Sequence, residues 1–223
     1  ELRMKRLGLH RVDGRSYWFA GYFTPFDREL MVRYAGTGRA DRFLETFGGR
    51  LPFAEARIAK VFDEDHAAAR QFAETFGAAV AETLDDFADG LDGVIVPFPS
   101  GGPRRDYAVT APLARRGLPL FLDRIILEQR EMLRGLMALC EAARTPLHVT
   151  CFLRYLDELL RPAPDAAVDT VVATLHGEPA GYGADLLDLV DALMQAPPVS
   201  VLNAGDARAD IARLRYPDGR HAI

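Results

Sequence analysis

The sequence predicts an α/β fold: a mostly parallel sheet with covering helices, followed by a second, smaller α+β domain. Three observations predict it. From Arg57 onward, short apolar runs alternate with amphipathic stretches in a strand–helix–strand–helix order, the pattern of parallel strands joined by crossover helices. The runs are continuously apolar rather than alternating, as in LDGVIVPF at 91–98, which fits strands buried on both faces. Beyond Arg154 the texture changes to a Pro-rich linker, one strong amphipathic helix and strands joined by tight turns.

The first strand is KRLGLH at 5–10, and RVDGRSYWFAGYF starts a helix after a tight turn near Asp13–Gly14. Residues 27–54 read as an irregular insertion, helical at RADRFLETF but broken by GTG, GG and LP. RIAKVF is the next strand, and DHAAARQFAETFG a helix stopped by Gly77. AAVAE is a short strand, TLDDFADG a helix capped by Thr83, and LDGVIVPF a buried strand. The PSGGP loop, the helix DYAVTAPLARRG and the strand LPLFLDR complete a Rossmann-like domain over 1–128. ILEQREMLRGLMALCEAAR is a long helix leading to the strand TPLHVTCFL, so that 129–154 supplies the connecting helix and the last parallel strand. Residues 155–223 form a small or truncated α+β domain: DTVVATLHGEP is strand plus turn, GADLLDLVDALMQ a helix stopped by APP, and VSVLNAG and ADIARLRYPDGRHAI are strands. The last pair turns at Asp218–Gly219.

At 223 residues and 49% hydrophobic content, the chain buries a core without disulfide or metal staples. A net charge of −5 and a pI near 5.6 give no electrostatic case for nucleic acid or an anionic membrane. No apolar run is long enough to span a bilayer. Cys140 and Cys151 carry no metal-ligand spacing and read as core thiols, with a cytoplasmic setting as the default and no metal expected.

A doubly wound sheet binds ligands at the carboxyl ends of its strands. That edge holds Gly8 to Gly14, Asp63, Pro97 to Gly102, and Asp123 with Arg124. A dinucleotide loop needs small residues so that backbone amides approach the pyrophosphate. Here the loop reads GLHRVDG: Gly8 and Gly14 are present, while His10, Arg11 and Asp13 bring bulk and charge. It reads either as a modified nucleotide loop or as an ordinary glycine turn. Asp63 ends its strand where an acid binds the adenosine ribose of NAD and disfavours NADP, although it lies well beyond the usual spacing of about twenty residues. It also reads as the cap of the helix that follows. The aromatic run from Tyr17 to Phe23 reads either as pocket cover or as a buried helix start.

AKVFDEDHAAARQFAETFGAAVAETLDDF, followed by LDGVIVPFPSGGPRRDYAVTAPLARRGLPLFLDR, resembles the nucleotide-binding half of the glucose-fructose oxidoreductase/inositol dehydrogenase/rhizopine catabolism family. The resemblance covers roughly 57–128 well, with LHVTCFLRY and YGADLLDLVDALM matching more loosely. It implies a Rossmann domain, NAD or NADP, a sugar- or cyclitol-like small-molecule substrate, and a C-terminal sheet used in a homo-oligomer. It places Pro99 and Ser100 in the loop under the nicotinamide. Asp123, Arg124 and Ile125 fall on the Glu-Lys-Pro signature, Asp185 on the position of a catalytic His, and Asp188 on that of a helix Asp.

The departures matter for chemistry. Arg124 holds its proton where a lysine could relay one, so it suits an oxyanion or carboxylate clamp, and the substrate can be anionic as well as polyhydroxylated. Asp185 replaces a group that titrates near neutrality with one that stays ionised. His176 in LHGEPAGYG is a further candidate base, with Tyr182 as hydrogen-bond donor; a surface-turn histidine is the alternative. His148 reads as an ordinary strand residue. Three functions follow: an NAD(P)-dependent oxidoreductase with atypical proton chemistry, toward which the sequence leans; a lyase or isomerase on the same scaffold; and a non-catalytic homologue acting in binding or assembly.

Overall fold

A computed structural model of the chain describes residues 3–47, 53–97, 110–123, 130–149, 153, 168–175, 179–206 and 208–223. The chain divides into two compact units, one drawn from Glu1–Asp123 and Glu131–His148, the other from Arg124–Arg130 and Val149–Ile223.

The first unit contains β1 (Lys5–His10), α1 (Gly14–Phe23), α2 (Arg28–Ala35), α3 (Thr37–Phe47), β2 (Ala56–Phe62), α4 (His66–Phe76) and β3 (Ala79–Val80). It continues with α5 (Leu84–Ala88), β4 (Gly93–Val96), α6 (Ala111–Arg115), β5 (Leu120–Leu122), α7 (Arg130–Ala143) and β6 (Leu147–Val149). Its six strands lie in the order β3-β2-β1-β4-β5-β6. β1 pairs in parallel with β2 and β4, and the β2–β3 and β4–β5 pairs are parallel as well. The expected Rossmann-like sheet is therefore present, and its direction of winding reverses between β1 and β4. That reversal opens a crevice at the carboxyl ends of those two strands.

Local chemistry sets the element ends. The Asp65 carboxylate accepts from the Ala67 and Ala68 amides to start α4, and Gly77 ends it at a φ of 65°. Thr83 accepts from the Asp86 amide at 3.1 Å to start α5. The helices cover a core in which Leu9, Ile58, Val61 and Ile95 of the strands meet Tyr17, Phe72 and Phe76. Tyr17 meets Phe72 edge-on at 5.3 Å, and Phe72 lies 4.7 Å from Phe76.

The insertion expected at 27–54 is more regular than its glycines predict. It folds as α2 and α3, which place the fully buried Met31 and Ala40 in this same core. It is tied to its neighbours as well. The Asp27 amide donates to the Thr75 carbonyl at 2.9 Å, and Tyr34 donates to Glu74 at 3.0 Å. The helix α2 is not legible in RELMVRYA, because eight residues are shorter than the window in which a helical period can be read.

The second unit holds β7 (Thr170–Val171), α8 (Pro179–Met194), β8 (Ser200–Asn203), β9 (Ala212–Arg215) and β10 (His221–Ala222). Its sheet runs β7-β10-β9-β8, with β10 parallel to β7 and antiparallel to β9. The turn expected at Asp218–Gly219 joins β9 to β10, with Gly219 at a φ of 89°. Val171, Val190, Met194, Tyr216 and Ala222 form its core. Among the described residues no helix is long and apolar enough to cross a membrane.

Candidate functional site

The site is built at the carboxyl ends of β1, β2, β4 and β5. After β1 the chain turns through Arg11, whose φ of 73° lies in the left-handed region that favours glycine. Hydrogen bonds hold Arg11 there: its amide donates to the Phe62 carbonyl at 2.7 Å, and its carbonyl accepts from the Ser16 hydroxyl at 2.9 Å. The next amide, that of Val12, donates to the Asp63 carboxylate at 2.6 Å. Asp63 is buried, and its other oxygen accepts from the Asp65 amide at 2.8 Å.

The helix α1 then starts on a capping box. The Asp13 Oδ1 accepts from the Arg15 amide at 2.8 Å and the Ser16 amide at 3.0 Å. In return the Ser16 hydroxyl accepts from the Asp13 amide at 3.0 Å. From α1 the Arg15 guanidinium reaches the Asp123 carboxylate at the end of β5, a part-buried ion pair that passes over β4. The Asp123 amide donates to the Val96 carbonyl at 3.2 Å, which fixes this corner against the end of β4.

Asp63, Pro97 and Asp123 thus gather at the strand ends around the β1–α1 loop, with Gly14 as the first residue of α1. The long sequence gap to Asp63 is taken up by α2 and α3, and parallel pairing of His10 with Phe62 returns the acid to the loop. Gly8 lies inside β1, two positions before its end. A Cβ there would sit 2.6 Å from the Phe87 ring and also collide with Leu91, so close packing against α5 accounts for this glycine. His10 is buried between aromatic rings, 5.6 Å from Phe62 and 6.2 Å from Phe87.

Asp185 is buried on α8 in the second unit, and Tyr182 belongs to the same helix. Pro99, Ser100, Arg124, His176 and Cys151 lie outside the described residues. Cys140 is buried, and burial pushes its thiol up, away from the thiolate a nucleophile needs. His148 stacks on Phe121 at 5.5 Å, at the wall of an apolar cavity of about 740 Å³ that Phe19, Tyr22 and Phe23 also line. Arg15 went unread in the sequence, and Asp13 was read as a turn residue. The signal for Asp13 was VDGRS, an acid three residues ahead of a hydroxyl at a helix start, while the pairing of Arg15 with Asp123 spans 108 positions and has no local signal.

A dinucleotide cofactor can be tested against this geometry. The ribose end fits: Asp63 stands at the end of β2, and a carboxylate accepting two amides keeps acceptor capacity for hydroxyls. The pyrophosphate end does not fit as it stands. The amides of Arg11, Val12, Asp13, Arg15 and Ser16 already donate to oxygens of Phe62, Asp63, Ser16 and Asp13. A carboxylate occupies the anion position at the helix start.

No protein-family model matches the chain, and no curated protein matches it. Solved structures do. A candidate myo-inositol dehydrogenase from Sinorhizobium meliloti 1021 aligns at a TM-score of 0.61 with 17% identity, over 98% of this chain and 68% of that one. The WlbA dehydrogenase from Bordetella pertussis, in complex with NADH and UDP-GlcNAcA, aligns at 0.65 with 17% identity, over 99% and 66%. GenD2 from gentamicin A biosynthesis, in complex with NAD, aligns at 0.66 with 14% identity, over 99% and 64%. The chain spans about two thirds of the length of each of these. At these identities the likeness is one of fold alone.

Proposed function

We propose that the protein is an oxidoreductase of the NAD-dependent type acting on a sugar, cyclitol or related polar alcohol. One observation carries this reading. Asp63 sits at the carboxyl end of β2 and touches the β1–α1 loop at the Val12 amide, at the reversal point of a β3-β2-β1-β4-β5-β6 sheet. An acid in that place selects the free ribose hydroxyls of NAD over the phosphorylated ribose of NADP. The complexes of GenD2 with NAD and of WlbA with NADH and a nucleotide sugar support the same cofactor and a polar small-molecule substrate here. In this reading Asp123 belongs to the polar corner that faces substrate, and Arg124 clamps an anionic or polarised oxygen. Asp185, His176 and Tyr182 stay as candidates for proton chemistry, and Pro97, Pro99 and Ser100 for the loop beside the nicotinamide. A cytoplasmic homo-oligomer belongs to the same proposal.

The test is titration of the protein with NAD and with NADP by calorimetry. NAD should bind more tightly, and Asp63→Ser should lower the NAD-over-NADP preference by roughly tenfold or more, the loss expected for charge-assisted bonds to hydroxyls. Absence of binding by both nucleotides would sink the proposal. A second reading, a homologue active in binding or assembly rather than redox chemistry, is favoured by the loop amides that already donate internally. Binding of NAD with turnover of any polyol would overturn it.

A further inference from the structure

The start of α1 carries its own anion, and that bears on how any phosphate can bind there. Backbone N–H groups at a helix start attract an anion through their unfilled hydrogen bonds and the helix dipole. Here the Asp13 Oδ1 takes the amides of both Arg15 and Ser16. The Ser16 hydroxyl holds the arrangement from the other side, accepting from the Asp13 amide and donating to the Arg11 carbonyl. Asp63 takes the Val12 amide, so the loop before the helix is also filled by a carboxylate.

We infer that Asp13 acts as an internal competitor of phosphate: a dinucleotide enters only by displacing its carboxylate from the Arg15 and Ser16 amides. Asp13 thereby weakens binding of the pyrophosphate and leaves recognition of the adenosine untouched. The inference rests on the nucleotide reading proposed above and adds a control element to that site. Ligands without phosphate do not meet the competitor. Ligands with phosphate meet both the occupied amides and a like charge.

The substitutions Asp13→Asn and Asp13→Gly separate charge from occupancy: asparagine still accepts from the two amides without the charge, while glycine, well tolerated at a helix start, leaves them open. The probes are NAD and adenosine, titrated by calorimetry into the full chain, with thermal melting as the check that each variant is folded. NAD should bind at least tenfold more tightly to both variants than to the unaltered chain, with adenosine affinity unchanged. If NAD binds the unaltered chain and neither variant tightens it, the inference fails while the nucleotide reading stands. If neither probe binds any of the three proteins, both fail. NAD binding that appears only in the variants supports the inference and removes the cofactor from the unaltered protein.

Discussion

Two four-residue strands show how differently the units are built. In β4, GVIV, every residue is buried; in β8, SVLN, every residue is exposed. The first strand lies inside a parallel sheet whose helices bury rings as large as Phe72 and Phe87 completely. The second is an end strand of its own sheet, with Val201 at 66% and Leu202 at 59% exposure. Apolar character alone does not bury a strand: Val201 and Leu202 of β8 are as apolar as the valines and isoleucine of β4, yet lie exposed. What separates them is position in the sheet and the helices each unit supplies to cover it. The second unit rests on a handful of contacts among Val171, Val190, Met194, Tyr216 and Ala222.

The largest expected effects come from breaking each core in turn. Phe72→Ala should cost the first unit about 3–5 kcal/mol, and Met194→Ala should cost the second about 2–5 kcal/mol, both side chains being fully buried. Calorimetric melting tells the units apart, since each variant should lower a different transition. A single transition lowered by both would break the comparison. Gly8→Ala comes next, at about 1–3 kcal/mol, because the added carbon overpacks against Phe87 and Leu91. Its test is a urea midpoint, and an unchanged midpoint would show that α5 yields.

The smallest effect is a pH dependence. The Arg6 amide, first, and then Arg3 and Lys5 hold the Asp92 carboxyl below its ordinary range. A carboxylate depressed in the folded state adds stability above its unfolded pKa and loses it as the pH falls through the folded value. Asp92→Asn should therefore flatten the acid limb of a stability-against-pH curve slightly. An acid limb identical to that of the unaltered chain would discount the pair.

Much of the first unit was legible because its signals are local. KRLGLH predicts β1 to the residue, and DHAAARQFAETFG marks α4 with Gly77 turning the chain out, although the cap of its start is Asp65 and not the Asp63 read for it. The candidate site was legible as an edge and not as an arrangement. Asp63 could be named from its place after an apolar run, but its contact with Val12 depends on strand register across fifty intervening residues, a pairing no local window contains. Gly8 shows what sequence proximity hides: in sequence it stands with the loop, while in space it also packs closely against Phe87. The charged loop residues Arg11 and Asp13 were visible as departures, yet which amides they engage follows only from the backbone path.

That path has a consequence for engineering. Arg11 holds a glycine-like φ of 73° because the Phe62 carbonyl and the Ser16 hydroxyl fix its backbone, whatever its side chain. Such a conformation costs an L-residue about 1–2 kcal/mol, so the loop keeps its shape against the preference of its own residue. Shape and charge are therefore separable in this loop. The Arg11 side chain can be rewritten, toward or away from phosphate, as long as Ser16 keeps the bond that holds the backbone.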